Sequence, residues 1–388
     1  MRARKLFVLM TFLLVCGGFT GCGVVSSVVE NVSGLVGLSR TGTVIANSTW
    51  IRSSYAVVAA DLLEVKRGTT LDLLEETDFE KVHWFRVRAH DEDKTEGWVE
   101  AQNIITSDIL DKSKKLAEAD RDLPAQAVGQ LHAASNLRLS PEKRDDNLLF
   151  KLENDATFEI TDWIYVPKTQ DASDTDDAAY KSEQKQTKKT KSAEIEAAKE
   201  GNEPDKLDEK YDIWYKVRLE PSVSPAPAGW LFGRQIELQV PSDIVFYQSN
   251  TKKFVTWQRL DNAEASDKFS SKGAARGTKP GSWVILSRSN QVKAIDGVEP
   301  DFDAIMVLDY DKYNEEHYPA YKSGEVWGVI PLTVEGSGDN KVFTVKLRNN
   351  LNEQMEEKRF VVFRDKNRLK ITPPENISDY DKPPKPER

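Results

Sequence analysis

The chain is short of thiols. Of its 388 residues only Cys16 and Cys22 are cysteine, and both fall in the first 22. The body of the protein therefore has no disulfide and no thiolate for a zinc site, and its cores must hold without cross-links. Histidine is scarce as well: His83, His90, His132 and His317 show no ligand-like spacing. Positive charge is in deficit, with 54 Lys and Arg against 63 Asp and Glu and a net charge of −9. This excludes a surface built for nucleic acid, which needs an excess of cations. There is no Gly-x-Ser-x-Gly elbow and no phosphate-binding glycine loop, so no catalytic residues, metal or cofactor are expected.

What is present begins with a sorting signal. Arg2, Arg4 and Lys5 precede the apolar run Leu6 to Val15, which falls short of the ~20 residues that span a bilayer. Phe19-Thr20-Gly21-Cys22 closes the segment. It resembles the lipobox of bacterial lipoproteins. The resemblance implies a signal peptide over 1–21, acylation of Cys22, and a Val, Gly and Ser-rich tether over 22–40. Buried acyl chains contribute ~0.8 kcal/mol per methylene, ample for an anchor. Gly23 follows the cysteine where an aspartate would signal inner-membrane retention. By resemblance to Gram-negative lipoproteins this implies the periplasmic side of the outer membrane.

A repeat organises the next 200 residues. Trp84-Phe85-Arg86-Val87-Arg88, a polar turn and Gly97-Trp98-Val99 return as Trp214-Tyr215-Lys216-Val217-Arg218, a turn and Gly229-Trp230-Leu231. Each set is preceded by an Arg-Ser pattern at Arg52-Ser53 and Arg138-Leu139-Ser140. In the first copy Lys66-Arg67-Gly68-Thr69 marks a turn. In the second, Asp155 stands where the glycine should be, and aspartate tolerates the left-handed region better than most residues. Several short strands in about sixty residues can bury a core only by curling up.

The order of Trp50-Ile51-Arg52-Ser53, the Lys-x-Gly-Thr turn, the Trp-aromatic-basic-Val strand and Gly-Trp-Val resembles the bacterial SH3-like (SH3b) family. The resemblance covers 41–106 closely and 125–241 more loosely. It implies two tandem small β-barrels, of a kind found in exported proteins that bind peptidoglycan peptides or other proteins. From Arg52 to Trp84 is 32 positions and from Arg138 to Trp214 is 76, so the second copy holds an insertion. That insertion, 171–210, has almost no large apolar residues and reads as a disordered charged loop.

Residues 107–124 read as a helical linker, capped at Ser107 or Asp108, that sets the distance between the barrels. Seven β-branched and aromatic runs over 242–373 predict a third all-β domain, a barrel or a sandwich. The fold class expected is thus mainly β throughout. Asp301, Asp303, Asp309 and Asp311 cluster in sequence but fail the calcium-loop pattern at Tyr313 and Asn314, so a solvated turn is expected. Residues 374–388 read as a disordered tail.

Aromatic walls are one way small barrels grip extended peptides. Trp50, Arg52, Trp84, Phe85, Trp214 and Tyr215 are the candidate ligand residues. Gly97, Trp98, Gly229 and Trp230 are the candidate structural motif, with the first Trp of each pair expected half-exposed and the Gly-Trp one packed. The function expected is a membrane-anchored, non-enzymatic envelope lipoprotein that binds peptidoglycan or an envelope protein. The alternative is an accessory or hydrolytic protein whose third domain carries the activity.

Overall fold

The computed structural model describes residues 40–168, 207–249, 251–261, 280–289, 291–337, 340–366 and 368–381. The expected signal peptide, Cys22 and tether lie outside the described residues. So does the charged insertion, apart from a helical turn at Leu207–Lys210. The rest is mainly β.

The first module consists of β1 (Thr41–Val44), β2 (Ser48–Arg52), β3 (Asp61–Lys66), β4 (Thr70–Phe79), β5 (Val82–Arg88), β6 (Glu96–Glu100) and β7 (Ile104–Thr106), with a 3-10 turn at Ala101–Asn103. The strands form one antiparallel sheet in the order β3-β2-β6-β5-β4-β1-β7. It curls around Val44, Ile51, Val65, Leu71, Phe85, Val87 and Val99. Module 2 follows helix α1 (Ser107–Ala119). It comprises β8 (Ala127–Leu131), β9 (Ser135–Arg138), β10 (Leu148–Leu152), β11 (Thr157–Pro167), β12 (Tyr211–Arg218), β13 (Ala228–Phe232) and β14 (Ile236–Leu238). Its strand order, β10-β9-β13-β12-β11-β8-β14, is that of module 1 with every number raised by seven.

The correspondence reaches single residues. Arg52 lies opposite Trp98, and Arg138 opposite Trp230. Leu74 bulges out of β4 where Thr161 bulges out of β11, against the paired Arg86-Val87 and Lys216-Val217. Gly68 has φ +84 and its amide donates to the Val44 carbonyl at 2.8 Å; Asp155 has φ +61 and donates to Leu131 at 2.9 Å. The aspartate thus keeps the left-handed turn, at the modest strain that Asp tolerates there. Gly97 and Gly229 sit where β6 and β13 cross the preceding strands. A Cβ would strike the Arg52 carbonyl and Ile51 in one module, and Leu137 in the other.

Two further antiparallel meanders complete the chain. One runs β15 (Lys253–Arg259), β16 (Trp283–Arg288), β17 (Ala304–Asp311) and β18 (Glu316–Lys322). The other runs β19 (Gly328–Ser337), β20 (Asn340–Arg348), β21 (Met355–Asp365) and β22 (Arg368–Thr372). All seven expected runs are strands. The eighth, β18, escaped the sequence because Pro319 interrupts it, which an edge strand tolerates.

The third domain does not stand apart from module 2 as its expected boundary implies. Every residue of β16 is buried, because its sheet has cores on both faces. Val284 and Leu286 pack with Leu332, Phe343 and Phe360 of the outer sheet. Trp283 and Ile285 join the core of module 2 with Leu137, Phe158 and Leu231. A strand buried on both faces reads as a continuous apolar run, as Trp283-Val284-Ile285-Leu286 does. Gln126 ties the junction: its side chain accepts from the Leu332 amide at 2.7 Å and donates to the Leu332 carbonyl at 3.2 Å.

The expected disordered tail is also corrected over 374–381. Tyr380 is 2% exposed, and its hydroxyl donates to Glu356 at 2.6 Å and accepts from Asn349 at 3.1 Å. One aromatic ring supplies apolar area that the prolines and charges around it do not.

Candidate functional site

Strand alternation divides β5 into two sets. Phe85 and Val87 enter the core of module 1, while Arg86 and Arg88 lie on the opposite face with Trp84, which is itself buried. On β2 the core residue is Ile51, and Trp50 and Arg52 flank it on the outer face. The registers then align Arg52, Trp98, Arg86 and Glu75 in one row across β2, β6, β5 and β4.

The row is accessible. Trp50 is 45% exposed, and Arg86 lies between Glu75 at 3.6 Å and Glu96 at 3.2 Å with nearly half of its side chain in water. Glu96 also takes Arg88 at 2.7 Å. The hydrogen bond from Arg88 holds the Glu96 carboxyl below the usual range. Trp98 is half-buried and meets Tyr55 edge-on at 5.0 Å, and Tyr55 in turn packs on Phe79 at 4.9 Å. Arg52 pins the loop that carries Tyr55, donating to the Val57 and Ala59 carbonyls at 3.2 and 3.4 Å.

The expected assignment of the tryptophans is reversed. Trp84 is 5% and Trp214 2% exposed, whereas Trp98 and Trp230 are half-buried. Glycine faces inward at each strand crossing, so period-two alternation turns the following indole outward. Phe85 is a core residue at 6% exposure, and Trp214 packs against Phe232 at 5.3 Å. Tyr215, at the position of Phe85, packs against the core of module 2 and meets Trp163 at 6.2 Å. Of the candidate ligand residues, the structure brings Trp50 and Arg52 together on an open face. It adds Trp98, Tyr55 and Arg86 to them.

Module 2 has the same row, made of Arg138, Trp230, Lys216 and Asp162; there the helix end covers the Lys216 side, while Trp230 stays half-buried. Asp120, just past the end of α1, binds Lys216 Nζ at 2.7 Å and accepts from the Thr161 hydroxyl at 3.2 Å. Arg218 donates to the carbonyls of Asp120 and Leu123 at 2.7 and 3.0 Å. Ser113 accepts from the Ala228 amide at 3.1 Å and donates to its carbonyl. Burial pushes the Asp162 carboxyl up.

The linker helix, expected only as a spacer, therefore plugs the second face. Ala228 occupies the position of Glu96 and leaves room for Ser113. The carboxylate that module 1 supplies from its own strand reaches module 2 from the helix. An acid at a helix C-terminus opposes the macrodipole, and that was the sequence signal for Asp120. Asp120→Ala leaves Lys216, 13% exposed, without its buried partner. A loss of roughly 3–5 kcal/mol is expected in urea-induced unfolding.

Two crevices accompany the rows. One of ≈ 300 Å³ lies between the modules, lined by Asn47, Arg67, Gln102, Asn154, Asp155 and Ser222. Arg67 crosses it, donating to the Ile45 and Ser222 carbonyls at 2.9 and 2.7 Å. The other, of ≈ 250 Å³, lies between module 2 and β15 and is walled by Trp163, Tyr165, Ile213, Tyr215, Phe254 and Val255.

The acidic cluster is not a solvated turn. Asp303 and Asp309 are each 1% exposed and serve as acceptors within the fold, because they stand at positions facing unpaired amides and hydroxyls. Asp303 takes the Ser289 amide and hydroxyl at 2.8 Å. Only Asp311 caps an exposed turn, at the amides of Tyr313 and Asn314. Among the described residues no group of three or more His, Cys, Asp or Glu is placed to hold a metal, and no helix is long and apolar enough to cross a membrane. No family model matches the chain, and no curated protein is detectably similar to it.

Proposed function

We propose that the chain is a non-enzymatic binding lipoprotein of the bacterial cell envelope, anchored through Cys22, in which the first of two SH3-like barrels carries the ligand face. One observation carries this reading: the same outer row is built twice, and its charged side is left open in module 1 but taken by the chain's own helix in module 2. A half-buried Trp98 and Tyr55 beside paired charges suits an extended, peptide-like ligand, either a peptidoglycan stem or a segment of an envelope protein. The second barrel and the two meanders fused to it act as a rigid base.

The anchor is tested by Cys22→Ser in the producing cell. Wild type is expected in the membrane fraction and incorporates labelled palmitate, and the variant is expected in neither state. Retention of Cys22→Ser in the membrane fraction would refute lipid anchorage.

A further inference from the structure

The loop between β2 and β3 exposes Val57 to 82% and Val58 to 94%. Together the adjacent valines make a small apolar tip. The loop itself is closed and braced. The Ser53 amide donates to the Ala60 carbonyl at 2.9 Å, the Ala60 amide returns to the Ser53 hydroxyl at 3.0 Å, and the Ala59 amide reaches the Ala56 carbonyl at 3.0 Å. With Arg52 below and Tyr55 wedged between Phe79 and Trp98, the valines sit on a pre-organised tip. Ordering cost on docking is correspondingly small.

Module 2 supplies an internal control. Its corresponding loop keeps the arginine pin, with Arg138 donating to Asn147 at 3.1 Å and to the Arg144 carbonyl. It carries Glu142, Lys143, Arg144 and Asp146 in place of the alanines and valines. The architecture does not require an apolar tip.

The same chain has a groove of matching chemistry, the ≈ 250 Å³ crevice walled by Trp163, Tyr215 and Val255. Among the described residues its charged lining is Lys253, which is exposed, and Arg288, which is paired with Glu299 at 2.6 Å. Module 1, residues 41–106, carries seven Lys and Arg against twelve Asp and Glu, a net of −5. Asp61 stands beside the tip with 51% of its side chain exposed.

We propose that the protein self-associates head to tail, with the Val57-Val58 tip of one copy seated in the Trp163-Tyr215-Val255 groove of another. Tip and groove are different surfaces, so the contact is heterologous and propagates into chains or closes into a ring. It is small, so association is weak and concentration-dependent. It requires neither the ligand face nor the identity of the ligand.

The scarcity of cysteine makes cross-linking a direct test. Full-length chains bearing Val58→Cys are co-produced with chains bearing Val255→Cys, and their membranes are oxidised. Mixed adducts are expected several-fold above those formed with Leu351→Cys, an exposed position outside the groove, and are expected to vanish when Val57→Asp is added to the first chain. Lys253→Cys at the rim is a second reporter should Val255→Cys perturb folding. Equal adducts at the groove and at position 351, adducts only between two Val58→Cys chains, or none at either groove position would each overturn the proposal.

Discussion

Asp309→Ala is expected to lower stability by roughly 3–5 kcal/mol, the scale on which a buried charge network is lost when one partner is removed. Asp309 accepts from the Ser282 and Tyr318 hydroxyls at 2.6 Å each, from Arg364 at 3.0 Å and from the Leu369 amide at 3.1 Å. These donors come from both meanders, so one carboxylate joins the two sheets. Burial alone would push this carboxyl up, but the bonds from Ser282, Tyr318 and Arg364 hold it below the usual range. Its contribution is therefore present above the unfolded value and is lost as pH falls through the lowered folded one. Against a total of about 5–15 kcal/mol for a typical domain the loss is large. Urea-induced unfolding at neutral pH, followed by tryptophan fluorescence, measures it. A midpoint within error of wild type would show that the knot contributes nothing.

Asp301→Asn is expected to do the opposite. Burial raises the Asp301 carboxyl to about 7, with nearby Asp162 adding to the rise, against the Ile330 amide that donates to it at 3.0 Å. The folded chain thus holds a proton that the unfolded chain releases near 3.8. For a raised acid the sign is that stability falls as pH climbs from the unfolded value through the folded one, and is level above it. Asparagine keeps the acceptor for Ile330 and removes the charge. The variant should match wild type near pH 4 and gain steadily to about pH 8, by a few kcal/mol and about 4 at most. Thermal unfolding across that range tests it, and a constant offset at every pH would remove Asp301 from the account.

These two acids stand eight positions apart in one stretch, and nothing in the stretch separates them. Their roles depend on residues 60 positions downstream in one case and on module 2 in the other, which local pattern does not encode. The repeat was legible because curling each sheet on itself demands the same glycine, arginine and bulge twice. Asp155 was legible for the same reason, since its turn is a local requirement. Continuous apolar runs located β16 and β17, whereas β18 was concealed by Pro319 and half-exposure.

The proposed ligand face was half legible. Trp50 and Arg52 were named, but the inward glycine was not used to turn Trp98 outward. Tyr55 sits in a loop without a motif. That one face is open and the other closed depended on α1, whose apolar residues mark a helix without saying what it covers.

The central claim is that one module binds and its duplicate does not. Co-sedimentation of the full-length protein with purified sacculi, and with detergent-solubilised envelope proteins immobilised as a second arm, measures it for wild type, Trp98→Ala and Trp230→Ala, each checked for an unchanged fold. Binding in one arm, abolished in Trp98→Ala and retained in Trp230→Ala, is the predicted result. Binding that survives Trp98→Ala, or that falls equally in both variants, would contradict it.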